Sequence, residues 1–169
     1  MRRFRFLLIL GAVAAGGCAG YQLGPTGGQA AREKSVQVIP FTNRTLEPRL
    51  GDALTSALRK EIQRDGTFAL ATRDAGDIVV SGVLTRYQRR EVSFVPTDVV
   101  TARDYNLALT AQITARERST GKVLFDKPVT SLSLIRVGSD LASTERQALP
   151  LLASDLAKRI TSMLADGSW

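Results

Sequence analysis

The chain has 169 residues, with 23 lysines and arginines, 16 aspartates and glutamates, one cysteine and no histidine. This length suits a single domain with one core. Without histidine there is no imidazole to act as a general base or metal ligand, and one cysteine excludes an intramolecular disulfide or thiolate cluster. The composition predicts a non-enzymatic protein without metal ion or cofactor. A hydrolase using paired carboxylates is the alternative, but no pair of acids at a recognisable spacing supports it.

Residues 1–17 have the pattern of an export signal peptide. Three arginines among the first five residues precede an apolar run at 6–15. That run is shorter than the ~20 residues that a transmembrane helix needs, and small residues follow it. The alternative is a buried N-terminal helix or strand, which the arginines before the run and the glycine pair after it disfavour.

Cys18 resembles the lipobox cysteine of bacterial lipoproteins. Gly16 and Gly17 provide the small side chains that the signal peptidase requires, although Ala15 stands where lipoboxes usually carry leucine. The resemblance implies that Cys18 becomes the first residue of the mature chain and carries three acyl chains, which would hold it on a membrane. Ala19, rather than aspartate, implies sorting to the outer membrane of a Gram-negative bacterium, facing the periplasm.

The mature chain is only mildly basic. Removing the three arginines of the signal segment from the formal charge of +7 leaves +4. This charge fits attraction to an anionic glycolipid or membrane surface, and it is too small to indicate nucleic-acid binding.

The remaining sequence predicts a glycine-rich flexible tether at 18–34 and one α+β domain at 35–169. We expect a two-layer sandwich in which a four-stranded, mostly antiparallel sheet carries two helices on one face, in the order β-α-β-β-β-α. The predicted strands lie at 36–41, 78–88, 104–117 and 123–134, the helices at about 46–65 and 143–165, and the turns at 42–45 and 119–122.

These helix and strand assignments are based on the spacing of apolar residues along the sequence. In the first helix, Leu50, Leu54, Leu58 and Ile62 form one stripe, and Gly66 is placed to cap the C-terminus. In the second helix, Pro150 predicts a kink or the start of the regular part.

The 104–117 strand alternates apolar residues with polar ones, which is typical of a half-buried antiparallel strand. Its outward positions include Asn106, Thr110, Gln112 and Thr114. The 91–103 segment before it is unusually apolar for an exposed connection. Its sequence is equally consistent with an extension of the sheet and with a docking surface.

Charged residues are expected to gather at one end of this sheet. If the three long strands form a meander, the segments around 44, 86–104 and 136–145 meet there. The patch would contain Arg44, Arg86, Arg89, Arg90, Arg103 and Arg136, together with Glu47, Glu91, Asp98, Asp104, Asp140 and Glu145. Guanidinium groups suit bidentate phosphate contacts, so the patch is either an anion site or a solvated strand end.

With these features in place, the chain resembles the LptE family of lipopolysaccharide-assembly lipoproteins. Its predicted mature start, Cys18-Ala19-Gly20-Tyr21-Gln22-Leu23, is similar to the family's Cys-Gly-Tyr/Trp-x-Leu, with Ala19 inserted. The strand at 36–41 with Asn43, the helix at 49–64, the strand at 105–115 and the amphipathic end at 144–164 also fit in order and spacing. The apolar 91–103 segment departs from the pattern.

The resemblance implies a non-enzymatic outer-membrane lipoprotein that plugs an LptD-type β-barrel, assists its assembly and helps deliver lipopolysaccharide to the outer leaflet. The family's lipopolysaccharide-contacting basic positions precede the 105–115 strand and the last helix. No residue here aligns with them motif by motif. Position and chemistry make the following the candidates: Arg86, Arg89, Arg90, Arg103 and Arg136.

A second resemblance stays open. The 36–43 segment, the helix after it and the run Asp77-Ile78-Val79-Val80-Ser81-Gly82 are also similar to CsgG- and LpoB-like domains. These are outer-membrane lipoproteins that act as secretion-channel subunits or as activators of a cell-wall synthase. The chain lacks an evident pair of additional membrane-inserting hairpins, which disfavours the channel version.

Overall fold

A computed structural model describes residues 34–95, 98–137 and 140–167 of the chain. The predicted signal segment and Cys18 lie outside these residues. The elements, in chain order, are β1 (Ser35–Val38), β2 (Thr42–Asn43), α1 (Leu50–Asp65), β3 (Ala69–Leu70), β4 (Ile78–Val95), β5 (Asp98–Glu117), β6 (Val123–Arg136) and α2 (Leu141–Ala165).

The α+β class is confirmed, but the sheet has six strands rather than four. Its order is β3-β1-β4-β5-β6, and β2 also pairs with β4. The pairs that involve β1 and β2 are parallel, whereas β4, β5 and β6 form an antiparallel meander.

One extra strand arises because the predicted 36–41 strand is interrupted. Pro40 has no N–H group to donate, so regular pairing with β4 stops after β1. It resumes at Thr42, which we predicted to be a turn residue, opposite Val83. The other extra strand is β3, a two-residue piece beside β1.

Both helices pack against each other and onto the sheet, α1 over β1 to β3 and α2 over β5 and β6. The alternation predicted for β5 is confirmed. Its fully buried positions are Leu107, Leu109, Ala111, Ile113 and Ala115, while the polar residues between them stay partly or fully exposed. The helices therefore cover one face, and we call the other, which no described helix covers, the uncovered sheet face. No helix among the described residues is long and apolar enough to cross a membrane.

Helix α1 begins at Leu50, later than the predicted residue 46. The side chain of Asn43 donates to the carbonyl of Glu47 at 2.7 Å and accepts from the amide of Thr45 at 3.0 Å, which holds the connection in a turn. Arg49 adopts φ 67°, and Gly51 lies so close to Phe41 that an added Cβ would be 2.7 Å from its carbonyl oxygen. The predicted cap is confirmed, because Gly66 has φ 77° and its amide donates to the carbonyl of Ile62.

The apolar 91–103 segment extends the sheet, so the predicted connection between 88 and 104 is wrong. Phe94 pairs with Ala102 and Val95 with Asp98 at the end of the β4–β5 hairpin. β-branched and aromatic residues favour extended backbone, which explains the added length. Because β6 ends at Arg136 opposite Asp104, this hairpin continues beyond β6.

Helix α2 begins two residues before the predicted start and runs continuously through Pro150. Asp140 caps it, since its carboxylate accepts from the amides of Ala142 and Ser143 at 3.0 and 3.1 Å. This cap fixes where the first turn of α2 begins.

Candidate functional site

The five predicted arginines lie in one half of the sheet, which we call the arginine end: Arg86, Arg89, Arg90, Arg103 and Arg136. All five are exposed. Arg86 pairs in register with Thr110, Arg90 with Asn106 and Arg136 with Asp104. These partners lie on β5 between Asp104 and Thr110, a stretch of seven residues that extends over roughly 20 Å.

The sheet divides the arginine end between its two faces. Arg89 lies opposite Leu107, on the face that the helices cover. Because side chains alternate along a strand, Arg90 and Arg136 belong to the uncovered sheet face. The expected single patch is therefore two smaller ones, a division that strand order alone does not reveal.

Glu145 is the centre of the helix-side patch. It is 8% exposed, and its two carboxylate oxygens accept from the Tyr87 hydroxyl at 2.5 Å and from Arg89 Nη1 at 2.7 Å. The Arg89 guanidinium also lies 5.8 Å from the centroid of the Tyr105 ring. Burial and the bond to Glu145 raise the pKa of Tyr87, so its hydroxyl stays protonated and donates at neutral pH.

An open groove of about 500 Å³ lies beside this network. Its lining includes Arg44, Glu47, Thr85, Arg86, Tyr87, Arg89 and Glu145. Arg44 adds a cation to the wall that holds the Arg89–Glu145 pair, whereas the register of Arg86 with Thr110 places the Arg86 side chain on the uncovered sheet face. The groove is thus polar and mixed in charge, and its guanidinium groups suit an anion.

Asp104 is the centre of the patch on the uncovered sheet face. It accepts from Arg136 Nε at 2.8 Å and from the Ser93 hydroxyl at 2.6 Å. These two hydrogen bonds, that from Arg136 first, lower the pKa of Asp104, and Asp104 in turn raises the pKa of Arg136. Arg136 is therefore partly neutralised by its neighbour.

Asp104 should make stability depend on pH in the acid range. Its folded pKa lies below the ordinary value of 3.8, so its contribution is present above that value and is lost as the pH falls through the folded pKa. We expect Asp104→Asn to lower the thermal unfolding midpoint at pH 7, and the gap to the wild type to close below about pH 4.

The unfolding midpoint of Arg136→Gln should also lie below that of the wild type at pH 7 and approach it in acid. The reason is that Arg136 is the largest cause of the lowered pKa of Asp104. Unfolding scans by circular dichroism from about pH 7 to about pH 2.5 measure both variants. A gap that stays constant over this range would show that the carboxylate charge of Asp104 does not contribute to stability.

The described residues contain no group of three or more acidic, histidine or cysteine side chains that could hold a metal ion. Two acids of the arginine end, Glu145 and Asp104, accept hydrogen bonds from arginines, and Glu145 also accepts one from Tyr87. The sequence had indicated both sets of charges, but not which acid pairs with which arginine. The fold and the arginine end together define a small α+β domain with charged side chains on both faces of one half of its sheet.

Similar folds occur in two bacterial lipoproteins and in PelC. Rare lipoprotein B from Shewanella oneidensis aligns with TM-score 0.52 at 15% identity, covering 76% of this chain and 93% of that one. A minor lipoprotein from Acinetobacter baumannii aligns with TM-score 0.52 at 16% identity, covering 78% and 92%. The PelC dodecamer from Paraburkholderia phytofirmans aligns with TM-score 0.52 at 19% identity, covering 84% and 94%.

At these identities the likenesses show a shared fold only. The family follows from the sequence: the LptE profile, described as lipopolysaccharide-assembly, matches residues 33–164. The chain belongs to the LptE family and is, at the level of that family, an outer-membrane lipoprotein of lipopolysaccharide assembly. No curated protein sequence matches it significantly.

Proposed function

We propose that the protein is a non-enzymatic plug of an LptD-type β-barrel in the outer membrane. It is anchored by acyl chains on Cys18, faces the periplasm, assists assembly of the barrel and helps pass lipopolysaccharide to the outer leaflet. The observation that carries the proposal is the family match over 33–164, which includes nearly all of the described residues.

The uncovered sheet face supports a position inside a barrel. Asn106, Thr110, Gln112 and Thr114 lie along β5 on this face. Hydroxyl and amide groups there already pair across strands, as Gln112 does with Asp126 at 2.5 Å. The lumen of a transmembrane barrel is polar, so the polar side chains that β5 presents on this face are compatible with its wall.

The arginine end supports contact with the phosphates of lipid A. Arg86, Arg90 and Arg103 have no ion-pair partner among the described residues. Arg89 and Arg136 are held by Glu145 and Asp104, so they orient the surface more than they attract a ligand. Guanidinium groups that retain free donors are suited to bidentate phosphate contacts.

Recovery of the natively processed protein from outer membranes in mild detergent tests the proposal. Mass spectrometry should identify a large β-barrel protein in a nearly one-to-one ratio. A lipoprotein with the same tag and an unrelated fold, recovered from the same membranes, controls for detergent carry-over.

Other partners would overturn the proposal. A self-assembled ring or a cell-wall synthase in place of the barrel would support the CsgG/LpoB-like alternative. The native mass of the complex separates these outcomes from a one-to-one assembly. Retention of neither partner, together with turnover of a substrate, would support the hydrolase.

A further inference from the structure

The two edges of the sheet differ. One edge is β3, a strand of two residues, whereas the other is β6, which runs from Val123 to Arg136 and pairs, among the described strands, only with β5. A long edge strand exposes a row of unpaired backbone donors and acceptors. Proteins usually protect such an edge with a short strand, a bulge, a charge or a proline.

Much of β6 has none of these protections. After Lys127 and Pro128, residues 129–135 contain neither charge nor proline, and their register with β5 is regular throughout. Leu132 and Leu134 are each 65% exposed on the uncovered sheet face. A segment that is uncharged, rich in β-branched and aliphatic residues, and open at its edge adds a further strand readily.

The direction of the free backbone groups follows from two observations. The amide of Val137 donates to the carbonyl of Arg103 on β5, so the odd-numbered residues at this end point inward. Pro128 is an even-numbered residue without an N–H group. It can be accommodated in β6 because the backbone groups of even-numbered residues face away from β5, toward the open edge. In an antiparallel pair these directions alternate, so Thr130, Leu132 and Leu134 present their N–H and C=O groups to the open edge.

We propose that an extended segment of the barrel partner's chain adds to β6 as a seventh strand. This inference rests on the proposed function. Transmembrane barrel strands alternate apolar and polar residues over about ten positions, which matches an uncharged edge of this length with alternate exposed leucines. The segment that pairs has this alternating pattern but lies outside the barrel's own closed sheet, so the contact persists in the assembled complex.

Area and charge favour this occupant over a second copy. A stable interface needs about 20–30 residues on each side, and the seven uncharged residues of this edge would supply only about a quarter to a third of them. A groove of about 590 Å³ beside the edge is lined by Pro128, Val129, Thr130 and, from α2, by Lys158 and the Asp155–Arg159 ion pair. Lys158 has no ion-pair partner among the described residues, so an acidic residue at one end of the added strand complements it.

Hydrogen–deuterium exchange with amide resolution tests the inference on the full lipoprotein, alone and in complex with the co-purified barrel protein. In the complex, exchange at Thr130, Leu132 and Leu134 should slow by about tenfold or more. Ser131 and Ser133, whose amides face β5, should change little. This alternation distinguishes strand addition from contact through side chains alone.

Two variants test whether the slowed exchange depends on the β6 edge rather than on another part of the surface. Leu132→Pro removes one outward N–H without affecting the β5 ladder, and Leu134→Lys places a charge on the strand. In each, the slowing at the other even-numbered positions should fall below about twofold. Leu151→Lys is the matched control, because Leu151 is also 65% exposed but lies on α2, and the slowing should persist.

The outcomes are distinct. A complex with the barrel in which these amides exchange as in the free protein overturns the inference and leaves the proposed function intact. Recovery without any barrel overturns the proposed function. Slowed exchange in a homo-oligomer lacking the barrel overturns the inference by assigning the edge to a second copy.

Discussion

Cys18→Ser should move the protein from the membrane fraction to the soluble periplasmic fraction. Each buried CH₂ group of an acyl chain contributes about 0.8 kcal/mol, so three chains hold the protein almost irreversibly and their loss abolishes that anchoring. Serine cannot form the thioether that carries the diacylglycerol. Fractionation followed by immunoblotting measures the change, and intact-mass spectrometry of the wild type should show the acyl chains on residue 18.

The barrel complicates this experiment, since a partner can retain an unlipidated protein. The fractionation is therefore done with the barrel present and with the barrel depleted, and release is expected in the depleted cells. Cys18→Ser protein that stays with depleted membranes would show retention by another protein or by an uncleaved signal segment. Wild-type protein that keeps residues 1–17 and carries no acyl chains on residue 18 would contradict the lipoprotein prediction.

Reversing Arg86, Arg90 and Arg103 together to glutamate should weaken lipopolysaccharide binding by at least roughly 100-fold. A hydrogen bond to a charged group contributes about 1.5–3 kcal/mol, and the reversal replaces attraction by repulsion. These arginines have no ion-pair partner among the described residues, and the effect of Arg103 on Asp104 is the smallest of the causes that lower the pKa of Asp104, so the fold should persist. Binding is measured by fluorescence titration with labelled lipopolysaccharide, and circular dichroism monitors the fold.

The control keeps the charge change but moves its position. Arg116→Glu combined with Arg73→Glu and Lys122→Glu makes the same three reversals at exposed residues away from the arginine end. This variant should bind within about threefold of the wild type, because screening limits the effect of distant surface charges. Equal loss in both variants would show that net charge, rather than the arginine end, governs binding.

Arg89 and Arg136 are left out of the reversal for a structural reason. Glutamate at position 89 would face the nearly buried Glu145, and at position 136 it would face Asp104. Repulsion there would destabilise the domain and confuse lost binding with lost structure. Conservative Arg→Gln changes at these positions are expected to reduce stability more than lipopolysaccharide affinity.

The elements with a strong local pattern could be predicted from the sequence. The stripe through Leu50, Leu54, Leu58 and Ile62 specified α1, and the alternation along β5 specified its buried face. Hydrophobic periodicity reports which face of an element is buried, and that information is local. The late start of α1 was missed because it depends on side-chain bonds from Asn43, which propensity does not describe.

The sequence by itself determined the α+β class, the family, the order of the main elements and the end of the sheet where arginines collect. Only the tertiary structure decided the six-strand sheet, the extension of β4 and β5, the pairing of Glu145 with Tyr87 and Arg89, and the open β6 edge. The physical reason is separation along the chain. Glu145 lies 58 residues from Tyr87, and such a contact forms only when the packing of α2 on the sheet brings the two together.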